Sequence, residues 1–225
     1  IVSLASYLQS THQLSPVNTF FTGMSNGGEL CYLLACETQN VFRAFAPVAG
    51  TIFPNGLTNN ICTPTIPVPI FETHGRNDNI TLIQGDLFNQ YWGPYLGIDT
   101  IIDFWVDHNS LTDLVVDTFP NLNNNNKITI SYKYSAPSTN NEVWLYTHKS
   151  GHNWGDDGDI VIEQEIWDFF TKMSFNTSTS LEENYSVRGL VKVIDILGRE
   201  SNDQQNTILL YIYDDGTVEK KIILE

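Results

Sequence analysis

A serine stands between glycines in Gly23-Met24-Ser25-Asn26-Gly27, where an apolar run gives way to a helix-like one in FFTGMSNGGELCYLLACE (20–37). G-x-S-x-G at a strand-to-helix turn is the pattern that presents a nucleophile. The turn is so tight that the serine backbone is strained, and glycine on both sides avoids clashes. The helix that follows aims its positive dipole end, with the free N–H of Asn26, at a carbonyl oxygen under attack. A serine hydroxyl also needs a general base, and the base needs a carboxylate to hold its tautomer. Where such an elbow is used, the chain order is serine, then acid, then histidine.

Five histidines are available for the base. His12 precedes the serine in a polar turn and reads as a surface residue. His108 closes an amphipathic run, where capping or solvation is the simpler role. His74 ends an apolar run just before Gly75 and reads as a structural residue shaping the loop beyond it. His148 lies near a strand end, a position more often packed or solvated. His152 differs, because KSGHNWGDDGD (149–159) is a glycine-flanked loop between a strand-like and a helix-like run. For the acid, Asp78 closes FETHGRND (71–78), immediately after an apolar strand; Asp86 and Asp99 are better explained as solvated or helix-start acids. Order and loop placement together favour Ser25, Asp78 and His152.

The elements that must position these residues are legible in the hydrophobic pattern. Helices are expected at about 1–10, 26–37, 97–109 and 159–173, and strands at 18–22, 41–50, 66–75, 127–135 and 141–148. Short apolar strands alternating with helices indicate an α/β protein with a mainly parallel sheet. After Met173 the character changes. A polar linker (174–186) leads to three strand-like runs in 187–225, a small all-β module with a hairpin signal at Asp214-Asp215-Gly216. The catalytic domain is therefore read as 1–173.

The net charge of −15 argues against a nucleic-acid partner, which needs a basic face. No apolar run is long enough to span a bilayer. The three cysteines, Cys31, Cys36 and Cys62, are too few for a disulfide scaffold, and the lack of a CxxC pair argues against zinc.

GMSNGGELCYLLACE (23–37), FRAFAPVAGT (42–51), TIPVPIFETHGRND (65–78) and GHNW (151–154) together resemble the polyhydroxybutyrate-depolymerase-like esterases. That α/β-hydrolase family also contains feruloyl and acetylxylan esterases, and the resemblance covers residues 1 to about 172. It implies a secreted or cell-surface carboxylic-ester hydrolase without metal or organic cofactor, acting on an ester substrate that can be polymeric. Ser25 would be its nucleophile, His152 its base, Asp78 the acid that orients the base, and the Asn26 N–H an oxyanion donor. It also implies a Cys36–Cys62 bridge with Cys31 left as a buried thiol. It further implies early strands and a second oxyanion donor ahead of Ile1, with a signal peptide upstream. The chain departs from the family at Arg76, where threonine is usual, and after Trp154, where Gly155, Asp156 and Asp157 replace a proline and make the rim more acidic. Trp154 itself is expected either to line the substrate pocket or to pack.

The tail, LVKVIDILGRE (190–200) and YIYDDGTVEKKIILE (211–225), resembles the C-terminal sorting module of the type IX secretion system. That implies the type IX machinery as a partner. Two readings of other kinds stand beside the esterase: a non-catalytic surface scaffold, and a glycan-binding protein suggested by Trp92, Trp105, Trp144 and Trp154. Against the latter, Trp92 and Trp105 fall in apolar helical patterns and read as core.

Overall fold

The computed structural model describes residues 1–58, 62–121, 128–155, 160–175, 190–195, 198–201, 208–214 and 218–222. Asp156 and Asp157, nearly all of the polar linker and the Asp215-Gly216 turn lie outside the described residues. The chain divides into two units, Ile1–Phe175 and Asn176–Glu225.

The first unit contains, in order, α1 (Val2–His12), β1 (Phe20–Met24), α2 (Asn26–Glu37), β2 (Ala44–Val48), the short α3 (Pro54–Thr58) and β3 (Ile70–Gly75). It continues with α4 (Ile98–His108), β4 (Asp113–Thr118), β5 (Ile130–Ala136), β6 (Thr139–His148) and α5 (Ile162–Met173). The sheet order is β1-β2-β3-β6-β5-β4. β1, β2, β3 and β6 run parallel, and β5 and β4 continue the sheet antiparallel. A mainly parallel sheet flanked by helices is thus what the sequence pattern indicates and what the chain forms.

Alternation along the central strands fills both faces, as a sheet covered on two sides requires. Phe45, Ile70, Val143 and Leu145 face a core with Tyr32 and Leu34 of α2 and Ile101 and Trp105 of α4. Ala46, Phe71, Trp144 and Tyr146 face the opposite core, closed by Ile162, Ile166 and Phe169 of α5. The small side chains of β2 on that second face let α5 lie close, and Phe71 and Phe169 meet with ring centroids 5.5 Å apart.

Two elements were not expected from the sequence. β4 is exposed along its whole length, so its apolar triplet Leu114-Val115-Val116 shows no inward–outward alternation. Its strand character comes from β-branched residues and from pairing with β5 at the sheet edge. α3 is a single short turn following Phe53, too brief to leave a periodic signal.

The second unit holds three antiparallel strands, β7 (Leu190–Asp195), β8 (Ile208–Tyr213) and β9 (Val218–Ile222), in the order β7-β8-β9. Leu209 is fully buried there, and Asp195 accepts the Arg199 guanidinium at 2.8 Å.

Cys36, near the end of α2, is bonded to Cys62, and Cys31 is a buried free thiol. The bridge closes a loop of sequence separation 26. Restricting such a loop in the unfolded chain contributes about 3 kcal/mol. Replacing both bridge cysteines with serine should therefore lower the unfolding free energy in urea by about 2–4 kcal/mol. Wild-type protein under reducing conditions should lose a similar amount.

Candidate active site

In a parallel sheet the loops following neighbouring strands emerge on one edge, where the carboxyl ends of the strands gather the polar residues. Ser25 follows β1, Asp78 follows β3 and His152 follows β6, and these three strands share one direction.

Ser25 is the hinge between β1 and α2, with φ 56° and ψ −119°. Few non-glycine residues occupy that region, and a strained backbone of this kind costs about 1–3 kcal/mol that the surrounding packing must offset. Its N–H is tied to the Val48 carbonyl at 2.8 Å and its carbonyl accepts the Glu29 N–H at 2.9 Å. The glycines act differently from the symmetric pattern expected. A Cβ on Gly23 would come within 2.8 Å of the Gly27 carbonyl carbon and oxygen, whereas one on Gly27 would meet open space. The turn thus requires glycine at 23, and at 27 it is the backbone that is approached. Asn26, Gly27 and Gly28 open α2, and their N–H groups have no acceptor within the helix.

His152 Nδ1 lies 2.7 Å from Asp78 Oδ2. A carboxylate can only accept, so the proton sits on Nδ1 and Nε2 carries the lone pair. The Asp78 residue is 4% exposed. Its Oδ1 accepts the N–H groups of Ile80 at 2.8 Å and Thr81 at 2.9 Å, a turn that holds the carboxylate still. Neither alternative acid is placed this way. Asp86 accepts from Phe88 and Asn89, and Asp99 sits in the first turn of α4. His108 contacts the Ile66 carbonyl, His12 is exposed on α1, and His148 is buried at the end of β6.

Behind Asp78 lies a buried polar chain of which the sequence reading saw only His74. His74 Nδ1 is 2.9 Å from Glu72 Oε1, and His74 Nε2 is 2.8 Å from the Thr81 carbonyl and 3.6 Å from Asp78 Oδ2. Glu72 also accepts the Tyr32 hydroxyl at 2.9 Å. Burial alone would lower the His74 pKa. The hydrogen bond and charge of Glu72, the Thr81 carbonyl and the charge of Asp78 outweigh it, and the pKa is raised. A carboxylate inside the apolar strand VPIFETHG is the signal that could have exposed Glu72, because a buried acid demands partners.

The acid and histidine loops are stapled together. Arg76, the departure from threonine, donates to the Thr147 carbonyl and hydroxyl at 2.5 and 2.8 Å and to the Ile128 carbonyl. The Asn77 side chain donates to the Lys149 carbonyl at 2.7 Å. Gly75 leaves no room for a Cβ against the carbonyls of Ser150 and Gly151, so the two loops touch backbone to backbone.

Ser25 lines a cleft of about 150 Å³ with Asn26, Glu29, Phe53, Thr81 and Trp92. Asn26, Glu29 and Phe53 also border an apolar pocket of about 350 Å³, walled by Leu30, Leu33, Ile52 and the Cys36–Cys62 bridge. Burial pushes the Glu29 carboxyl pKa up. Trp154 takes one of its two expected places, and Trp92 does not take its own. Trp154 packs against the core closed by α5, whereas Trp92, read as core, is 46% exposed at the Ser25 cleft. Trp105 and Trp144 are buried.

No protein-family model matches the chain. Over 102 residues it is 26% identical to feruloyl esterase B of Piromyces equi, a stretch that is 44% of this chain and 19% of that protein. Among solved structures, it is 15% identical to esterase PE8, with a TM-score of 0.44 over 75% of this chain and 58% of that one. An acetyl xylan esterase from Aspergillus awamori is 13% identical, with a TM-score of 0.45 over 75% and 65%. A Bacillus cereus carboxylesterase is 10% identical, with a TM-score of 0.48 over 76% and 57%. The chain thus spans about a fifth of the curated relative and about three fifths of these solved chains.

The raised His74 pKa fixes a sign. Stability from the charged ring is fully present below the unfolded value of 6.5 and is lost as pH rises through the folded value. Thermal unfolding in steps from about pH 6 to about pH 9 should show wild-type Tm falling. The His74→Gln variant should start lower and lack that part of the slope.

Proposed function

We propose that the chain carries the catalytic machinery of a serine carboxylic-ester hydrolase working through an acyl-enzyme. The observation that carries this reading is the buried Asp78 carboxylate holding His152 Nδ1 at 2.7 Å, on the sheet edge where Ser25 ends β1. Thr81, whose N–H binds the same carboxylate, lines the cleft that contains Ser25.

In the mechanism this supports, His152 Nε2 takes the Ser25 hydroxyl proton as Oγ attacks the ester carbonyl. The oxyanion develops against the N-terminus of α2, where the Asn26 N–H and the helix dipole stabilise it. Collapse expels the alcohol, which takes its proton from His152, and leaves an acyl-serine. His152 then deprotonates a water that attacks the acyl carbonyl, and the released acid regenerates Ser25. Asp78 keeps the imidazole in the required tautomer and stabilises the imidazolium.

The apolar pocket beside Ser25 supports a substrate with a hydrocarbon or aromatic portion. Polyesters of the polyhydroxyalkanoate type and plant polysaccharides bearing feruloyl or acetyl esters both fit that description. The second unit is proposed as a type IX sorting module, which makes the protein a secreted or cell-surface one. Among the described residues, no helix is long and apolar enough to cross a membrane.

Hydrolysis of a p-nitrophenyl series from acetate to octanoate tests this directly. Ser25→Ala and His152→Ala should reduce kcat to background, and Asp78→Asn should lower it by roughly four orders of magnitude. A serine-directed phosphonate should label Ser25. Equal rates for wild type and Ser25→Ala, with no labelling, would sink the proposal.

A further inference from the structure

Aromatic side chains are seldom left in water without a purpose when they stand together. Phe88 is 89% exposed, Tyr91 is 91% exposed and Trp92 is 46% exposed, all in one loop between β3 and α4. The loop holds them rigidly. Asp86 and Tyr95 pair as an antiparallel bridge with N–O distances of 3.1 and 3.0 Å. The Asp86 carboxylate accepts the Phe88 N–H at 2.9 Å, and Asn89 Oδ1 accepts the N–H groups of Tyr91 and Trp92 at 3.0 and 3.1 Å. Trp92 stacks on the buried ring of Tyr95. A backbone fixed in this way loses little entropy when a ligand lands on the side chains it carries.

The depressions of this surface share walls with the Ser25 cleft or with one another. Ile80 and Trp92 wall both that cleft and a second one of about 300 Å³, which adds Asn79, Asn89 and Tyr91. Asp86, Asn89 and Tyr91 in turn wall a third, of about 420 Å³, bordered by Phe88 and Gln90. The three adjoin in series from the Ser25 cleft, a track whose lining mixes aromatic rings with amide and carboxylate groups.

We propose that this track binds the backbone of a neutral polysaccharide, seating a sugar-borne ester over Ser25. The chemistry favours a sugar over the other candidate polymer. The C–H face of a pyranose carries partial positive charge and meets the negative π face of Tyr91, Trp92 or Phe88. Its hydroxyls can donate to Asp86 and both donate to and accept from Asn79, Asn89 and Gln90. A polyester chain offers only acceptors, so it would strip water from the Asp86 carboxylate and return no donor. The net charge of −15 disfavours anionic glycans. The inference takes from the ester-hydrolase reading only the position of the scissile bond.

Binding can be measured apart from catalysis. The full chain carrying Ser25→Ala should be retarded in affinity electrophoresis through gels containing soluble arabinoxylan. Adding Phe88→Ala and Tyr91→Ala should weaken that retardation by about tenfold or more. Thermal unfolding should be unchanged, since both rings stand in solvent. An absence of retardation, or retardation that survives the double substitution, would overturn the proposal. Adsorption of the Ser25→Ala chain to polyhydroxybutyrate granules but not to arabinoxylan would overturn it in favour of a polyester. Ser25-dependent p-nitrophenyl acetate hydrolysis by the wild type reports separately on the ester-hydrolase reading, so the two can fail independently.

Discussion

A carboxylate buried as deeply as Asp78 must be met by donors on every side, and much of the first unit is arranged to supply them. The Ile80 and Thr81 amides hold one oxygen and the His152 ring holds the other. The chain turns straight after β3, with the Asp78 N–H donating to the Gly75 carbonyl at 3.1 Å, and the amides follow from that turn. That turn is in register with the His152 loop because Gly75 and the Arg76–Thr147 contacts clamp the ends of β3 and β6 together. Geometry at His152 therefore descends from one electrostatic requirement through backbone contacts and the Arg76 side chain.

The same requirement extends inward. Tyr32 on α2 donates to Glu72 on β3, Glu72 faces His74, and His74 lies between Thr81 and Asp78. Donors and acceptors meet along this line, so each buried polar group is satisfied by the next. The line also ties α2, whose first residue follows Ser25, to the strand that leads to the acid. Ser25 and Asp78 are thus referred to a common interior scaffold.

Much of this was legible in the residues. α2 begins and ends where the apolar pattern and the glycines place it, and β2, β3, β6, α4 and α5 announce themselves by periods of two or near four. The pairing of His152 with Asp78 follows from loop position, because glycine-flanked polar residues after apolar strands have few other reasons to be there. What escaped was whatever depends on the third dimension. β4 has strand propensity but lies at an edge, where burial leaves no alternation to read. Trp92 lies outside the core it was assigned to, since a local apolar pattern does not tell which side of a loop meets water. The asymmetry between Gly23 and Gly27 arises from the direction in which each absent Cβ would point, which the motif alone does not carry.

The covalent bridge has a consequence of location. Cys36 and Cys62 stand in the wall of the apolar pocket beside Ser25, so the shape of that pocket is set by an oxidation event as well as by folding. In a reducing compartment the same wall is two thiols free to part. The wall of that pocket, unlike the contact between Asp78 and His152, is thus a property acquired in an oxidising milieu.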